Sequence, residues 1–331
     1  MQVIDYNAIK KNVEFFRQQI GDSKLCAVLK NNAYGHGLTH VARQIVEVVD
    51  YFAVGSYNEA EQIEFLKKDV LILLPQNLRS AESAIKSDFI LTLDSFETLK
   101  TIEKAALNVG KSARVHLKID SGMSRLGFRI EQLDELIATL KTAKISVEGI
   151  FSHFYGDSQA ECDEQLEYFY KCLTVLEKEF GTQLIRHIAN TGATLLSNKY
   201  HLDMVRVGLG LYGYGNENLL PAKKVYADVI SVKDVLAGSV AGYGAIHKCK
   251  RNSRIAVINV GYANGLQRSL VGCQISINGQ RCPVVAICMA MSLVDVTDIQ
   301  VKTGDVAVVL GDGINISKGD VIIYELLCNL Q

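Results

Sequence analysis

Over the first two-thirds of the chain, short apolar runs rich in Val, Ile, Leu and Phe alternate with longer amphipathic stretches. The apolar runs predict strands near Leu25–Leu29, Tyr51–Val54, Val70–Leu74, Phe89–Leu93, Ala113–Ile119, Val147–Phe151, Leu184–Ala189 and Met204–Val207. Between them, Val41–Val49 and Gln165–Phe180 repeat their apolar residues at helical spacing. Repeated βα units require parallel strands with helices outside, and eight of them predict a closed (β/α)8 barrel. A doubly wound open sheet stays open on the count alone. The Gly- and Asn-rich stretch Tyr212–Asn218 breaks the rhythm like a linker. Beyond Pro221 the texture becomes β-rich, near Tyr226–Val232, Arg254–Val260, Gln274–Ile277, Val284–Ile287, Ser292–Val296 and Val306–Leu310, with Asn278-Gly279 and Asp312-Gly313 as turn signals. The expected organisation is a barrel over residues 1–222 and a smaller all-β domain over 223–331.

Composition refines this picture in three ways. A chain of 331 residues, 48% hydrophobic and 21% charged, supports a large core and one further domain. A net charge of −1 argues against nucleic acid or an anionic membrane as the main partner, since both select a basic surface. The eight cysteines fall at spacings that suit neither a zinc site nor a disulfide scaffold, which reads as a reducing compartment. Met1–Tyr6 begins neither a signal nor a transit peptide. No apolar run nears the roughly 20 residues that cross a bilayer, so a cytoplasmic protein is expected.

Candidate chemistry collects at strand ends. The first apolar run stops at Lys30, and Asn31-Asn32-Ala33-Tyr34-Gly35-His36-Gly37 follows. A lysine at the mouth of a buried strand is poorly solvated, so its ammonium is expected to fall below its free value of about 10.4. A neutral amine can then attack an aldehyde and form an imine. An ordinary solvated strand-end lysine is the alternative. Tyr34 is expected to face the same mouth. Lys118 and Arg125 lie at and beyond the fifth strand, His153 past the sixth, Asn190 and Thr191 past the seventh, and Arg206 and Gly208 at the end of the eighth. In a barrel these ends converge on one rim, where catalytic groups of this fold collect.

The run Ala27–Gly37 resembles the pyridoxal-phosphate lysine signature of the alanine racemases. The likeness continues in the family's order through Lys118–Gly127, Ser152-His153-Phe154, His187–Thr191, Met204–Gly208, Gly242-Tyr243-Gly244, Gly261–Gly265 and Cys288-Met289, over nearly the whole chain. The resemblance implies interconversion of L- and D-alanine on pyridoxal 5'-phosphate, supplying D-alanine for peptidoglycan. It makes Lys30 the imine lysine and the base on the D side, and Tyr243 the base on the L side. In the family this tyrosine reaches the cofactor of the partner subunit, which implies a homodimer with shared sites.

The resemblance also distributes the supporting roles. His153 and Arg206 match residues that give the phenol cationic surroundings. Arg206 further matches the arginine bonded to the ring nitrogen, with a strand-end arginine paired to Asp203 or a phosphate as the alternative. Tyr34, Asn190, Thr191 and the backbone amides at Gly208 and Leu209 match the phosphate cradle. Arg125 matches a substrate-orienting arginine, Met289 a residue near the substrate carboxylate from the partner chain, and Tyr262 an aromatic of the access channel. Lys118 matches a lysine carbamylated in many members. Unmodified, it faces Arg125 as a like charge, so carbamylation or a local anion is expected. No metal is implied.

Three departures stand out. Ala290 follows Cys288-Met289 where the family carries an acid, and Asn264 replaces another acid. Both changes remove negative charge near the predicted entrance, which is expected to alter substrate affinity or access with catalysis retained. Tyr324-Glu325-Leu326-Leu327-Cys328 resembles a point shortly before the family's final phosphate-binding tyrosine, and that aromatic is absent, so either the sequence is cut short or the phosphate is held with one donor fewer. The rival readings are another amino-acid racemase on this scaffold, acting on serine or broadly, and a non-catalytic pyridoxal-phosphate-binding protein.

Overall fold

The computed structural model describes residues 1–181, 183–312, 314 and 322–330. Gly313 of the expected Asp312-Gly313 turn lies outside them. The described chain forms two compact units, one made of Asn7–Ala33 and Gly37–Leu220, the other of Met1–Tyr6, Tyr34–His36 and Pro221 onward.

The short strand β1 (Gln2–Ile4) precedes the strands of the larger unit. These are β2 (Lys24–Val28), β3 (Tyr51–Val54), β4 (Asp69–Ile72), β5 (Ile90–Leu93), β6 (Ala113–Lys118), β7 (Ile145–Phe151), β8 (Ile185–His187) and β9 (Met204–Val207). All neighbours run parallel in the order β8-β7-β6-β5-β4-β3-β2-β9. The ring closes between β9 and β8, where Arg206 N donates to Ala189 O at 3.0 Å and Asp203 N to Arg186 O at 3.1 Å. The sheet is therefore a barrel and not the open alternative. Several of its strands are buried along their whole length, as the continuous apolar runs require of a sheet covered on both faces.

The covering helices start where side chains satisfy their first amides. Ser56, Asn77, Ser95 and Ser158 each accept from the amide three residues on, and Glu161 completes a capping box with Ser158. The helix Gln159–Phe180 buries Cys162, Leu166, Phe169, Leu173 and Leu176 along one stripe. The helix expected over Val41–Val49 ends earlier, at Ile45. Arg17 takes the Val48 carbonyl with two guanidinium nitrogens, at 3.0 and 3.2 Å, which fixes that segment as a turn.

In the other unit every strand pairing is antiparallel. Its strands are β10 (Lys223–Val235), β11 (Val240–Ala241), β12 (His247–Lys248), β13 (Ser253–Ile258), β14 (Gln274–Ile277), β15 (Gln280–Ile287), β16 (Ser292–Asp295) and β17 (Val306–Leu310). The main sheet runs β1-β10-β13-β16-β15-β14-β17, and β10 also pairs with β17, which closes it. Strand β1 lies on β10 with Ile4 opposite Lys223, so the first residues group with the C-terminal part of the chain. The β11–β12 ribbon stands apart and carries Tyr243 in the turn at its tip. Among the described residues no helix is long and apolar enough to cross a membrane, and no cysteine is disulfide-bonded.

Candidate active site

Lys30 follows the end of β2 by two residues, is half-buried, and opens a left-handed helical turn. Asn31, Asn32, Ala33 and Tyr34 have φ of 54°, 52°, 54° and 53°, and Gly35 follows at 76°. Such a run costs roughly 1–2 kcal/mol per L-residue, so the surroundings must hold it. Glu59 accepts from the amide of Asn32, and the Asn32 side chain accepts from Leu38 N at 2.8 Å. Strain stored at a strand mouth is a frequent mark of a functional site.

Arg206 anchors the barrel side of the site. It is buried on β9, and its Nη1 donates to His187 Nδ1 at 2.8 Å. Its Nη2 reaches Ser152 O at 2.7 Å, Ile188 O at 3.2 Å and His153 Nδ1 at 3.2 Å. Burial lowers its guanidinium to about 10, so it remains a cation at neutral pH. Its Nε makes no hydrogen bond among the described residues, which leaves one fixed donor for an acceptor placed above it. Asp203 is not its partner: both carboxylate oxygens bind Arg186, at 2.7 and 2.9 Å.

These bonds assign tautomers, because a guanidinium can only donate. His187 accepts at Nδ1, so its proton sits on Nε2 and points to His116 Nδ1, 2.9 Å away. His153 likewise accepts at Nδ1 and keeps its proton on Nε2. Burial first, and then the charges of Arg206, Lys118, Arg125 and Lys30, hold His153 well below 6.5. His153 is therefore neutral at pH 7, which corrects its expected part as a cation. The positive charge belongs to Arg206.

Lys118 ends β6 with its ammonium 4.5 Å from the centre of the Phe151 ring. Burial first, then Arg206 and Arg125, push it down to about 7, against the pull of Asp94 and Asp120. Both carboxylates act on Lys118 less strongly than burial and the two guanidinium groups do. Asp120 also accepts from the amides of Gly122 and Ser124, shaping the loop that carries Arg125. A Cβ on Gly127 would stand 2.5 Å from Asp120 N, so only glycine lets this loop fold back. Lys118, Arg125, Ser152 and His153 line one crevice.

The ends of β8 and β9, next along the rim from β7, hold a polar cradle. Thr191 Oγ1 accepts from Gly208 N at 3.3 Å and Gly210 N at 3.1 Å. Asn190 caps the short helix after it, accepting from Ala193 N at 3.0 Å. Leu209 opens the turn that follows Gly208. A Cβ on Gly210 would meet the Phe16 ring at 2.4 Å and the Thr191 methyl at 2.9 Å. Converging amides and a hydroxyl at the end of β9, facing a buried arginine, suit a phosphorylated pyridine.

The second unit holds the remaining candidates. Tyr243 stands on the β11–β12 tip between Gly242 (φ 78°) and Gly244 (φ 69°), with 82% of its surface exposed. A Cβ on Gly242 would lie 2.5 Å from the Ala286 methyl. Gly242, Tyr243, Cys288, Met289, Ala290, Met291 and Leu293 line a pocket of about 430 Å³ with no charged side chain. Tyr262 N and Ala263 N donate to Cys288 O and Met289 O, both at 2.9 Å, which brings Tyr262 next to Met289. Asn264 Oδ1 accepts from Gly261 N at 3.1 Å, so the neutral amide closes this turn.

Two further findings concern a tyrosine pair and a histidine pair. Tyr34 and Tyr324 have ring centres 5.8 Å apart. A second phenol thus stands beside Tyr34. Sequence reasoning also passed over His116 and His187. Both are polar residues inside strands that read as buried, and His116 shares the parity of Lys118 on β6, a signal that was available.

Models of known families account for both parts of the chain. One described as the alanine racemase N-terminal domain matches residues 4–216, and one described as the alanine racemase C-terminal domain matches residues 222–331. Alanine racemase 1 of Oceanobacillus iheyensis is 36% identical over 330 residues, covering 93% of this chain and 88% of the relative. The crystal structure of alanine racemase from Bartonella henselae with covalently bound pyridoxal phosphate superposes with a TM-score of 0.90 at 28% identity, covering 100% of this chain and 96% of that one. The alanine racemase of Bacillus anthracis with bound L-Ala-P gives 0.87 at 26% identity, covering 100% and 92%. With both family models matched in order and the rim of the barrel built as described, the chain belongs to the alanine racemase family.

Proposed function

We propose that Lys30 and Tyr243 are the two bases by which this chain interconverts L- and D-alanine. Racemisation removes the Cα proton and returns it on the opposite face, so one acid/base group must stand on each side of the substrate. Pyridoxal 5'-phosphate is the cofactor, and when bound it supplies the aldehyde that takes the substrate amine and the ring that withdraws the electron pair left at Cα. Lys30 would hold the cofactor through its amine, and that amine would move the proton on the D side. Tyr243 moves it on the L side.

Arg206 donates to the ring nitrogen. An arginine does not give up its proton, so with the cofactor bound Arg206 would leave that nitrogen unprotonated and moderate its pull on electrons. The buried Arg206, fixed by four acceptors with Nε left over, is the observation that carries this reading. His153 offers its Nε2 proton to the phenol oxygen of Tyr243. Thr191, Asn190, Gly208 and Leu209, with Tyr34 and Tyr324, hold the phosphate. Arg125 and Met289 orient the substrate carboxylate, and Tyr262 lines the approach.

Lys118 is proposed to carry a carbamate. The ammonium first gives up a proton; the freed lone pair bonds to the carbon of carbon dioxide, a second proton leaves the nitrogen, and a cation facing Arg125 and Arg206 becomes an anion. With its ammonium pushed down to about 7, much of Lys118 is neutral and reactive at pH 7–8. Carbon-13 NMR of protein equilibrated with labelled bicarbonate is expected to show a carbamate resonance that Lys118→Ala lacks. A spectrum identical in the two proteins would remove this role.

The working unit is proposed to be a homodimer that shares its sites, located in the cytoplasm and supplying D-alanine to peptidoglycan synthesis. Tyr243, Met289, Met291 and Tyr262 are 82%, 61%, 41% and 45% exposed, an apolar surface of the kind that partners cover. Circular dichroism of L-alanine incubated with cofactor-loaded protein tests the activity directly. The signal is expected to decay to zero, and faster than with L-serine or L-lysine. An unchanged alanine signal would leave a binding protein without turnover, and a faster decay with another amino acid would leave a different racemase.

A further inference from the structure

One buried cation of the C-terminal unit has no part in the chemistry above. Lys223 opens β10 and is 0% exposed. Its ammonium donates to the Leu327 carbonyl at 2.7 Å. The carboxylate of Asp312 pairs with neighbouring Lys224 instead. Burial pushes Lys223 down to about 8 against the opposing effect of Cys328. An apolar side chain of similar volume would avoid that desolvation, so the cation needs a reason of its own.

Its geometry supplies one. Leu327 lies in the last turn of the helix Ile323–Asn329, where carbonyls lack partners along the helix and the helix dipole attracts positive charge. Tyr324 precedes Leu327 by three residues and so shares its face of that helix. A Cβ on Gly35 would stand 2.5 Å from Leu327 O and 3.3 Å from Lys223 Nζ, so the backbone next to Tyr34 packs against this same hydrogen bond. One carbonyl thus ties together β10, the helix of Tyr324 and the turn of Tyr34.

We infer that Lys223 is the positioning residue of the phosphate-binding tyrosine pair: its ammonium pins the Leu327 carbonyl and so sets the spacing of Tyr34 and Tyr324. This rests on the reading of that pair as phosphate ligands. Full-length protein stripped of cofactor is titrated with pyridoxal 5'-phosphate and with pyridoxal, which lacks the phosphate. Lys223→Met keeps the volume but removes donor and charge. It is expected to weaken pyridoxal 5'-phosphate about tenfold and pyridoxal less than about twofold. Lys223→Gln keeps a donor without the charge, is expected to fall in between, and carries the same comparison if the methionine variant does not fold. Equal losses for the two ligands, or none, would overturn the role of Lys223. Tyr34→Phe is the reference: if it weakens the two ligands equally, the phosphate reading of the pair falls, and the inference with it.

Discussion

Replacing Lys30 by alanine is expected to lower kcat/KM in both directions of alanine racemisation by about 10⁴-fold or more. The change removes a covalent anchor and a base at once, and a positioned base alone contributes on the order of 10²–10⁴-fold. Nothing in the barrel is placed to substitute. Lys118 ends a different strand, and His153 is neutral with its Nδ1 already accepting from Arg206. The loss is expected without unfolding, because Lys30 lies at the rim and half-buried, outside the apolar core of β2. Racemase assays on the folded variant check this. Activity within about tenfold of the parent would take Lys30 out of the mechanism.

Tyr243→Phe is expected to separate the two faces of the substrate. Racemisation falls by about 10²–10⁴-fold in both directions, since each needs both bases. In deuterium oxide, however, D-alanine should still exchange its Cα proton, because Lys30 serves that face. L-alanine should not exchange. Proton NMR of each enantiomer with the variant reads this directly. Loss of exchange for both enantiomers alike would mean that Tyr243 does not serve one face alone. The phenol is mostly exposed at the tip of a two-stranded ribbon, so removing its hydroxyl leaves the packing of its unit untouched.

The barrel was legible because burial on both faces writes each strand as a continuous apolar run. The site was legible because lysine, arginine and histidine interrupt those runs at their C-terminal ends. Three things were not. The left-handed turn after Lys30 is a property of φ, hinted at only by Asn31-Asn32, which tolerate that region. The chain His116–His187–Arg206 lies inside strands whose polar members were read as part of an apolar core, and its bonds cross from β6 to β8 to β9, distances along the chain that no local pattern encodes. Tyr324 was passed over because its place beside Tyr34 depends on a contact between residues 290 positions apart. Asp203 shows the opposite error of local reasoning: it is near Arg206 in sequence, yet it pairs with Arg186 on β8.

Mixing the two variants tests most directly whether each site draws its bases from two copies of the chain. Lys30→Ala and Tyr243→Phe chains are coexpressed at equal levels and assayed against each alone. If the sites are shared, half of the dimers are mixed and each mixed dimer has one intact site, so activity should recover to about a quarter of that of the parent. If each site is built from one chain, mixing restores nothing, and activity stays at the mean of the two inactive proteins.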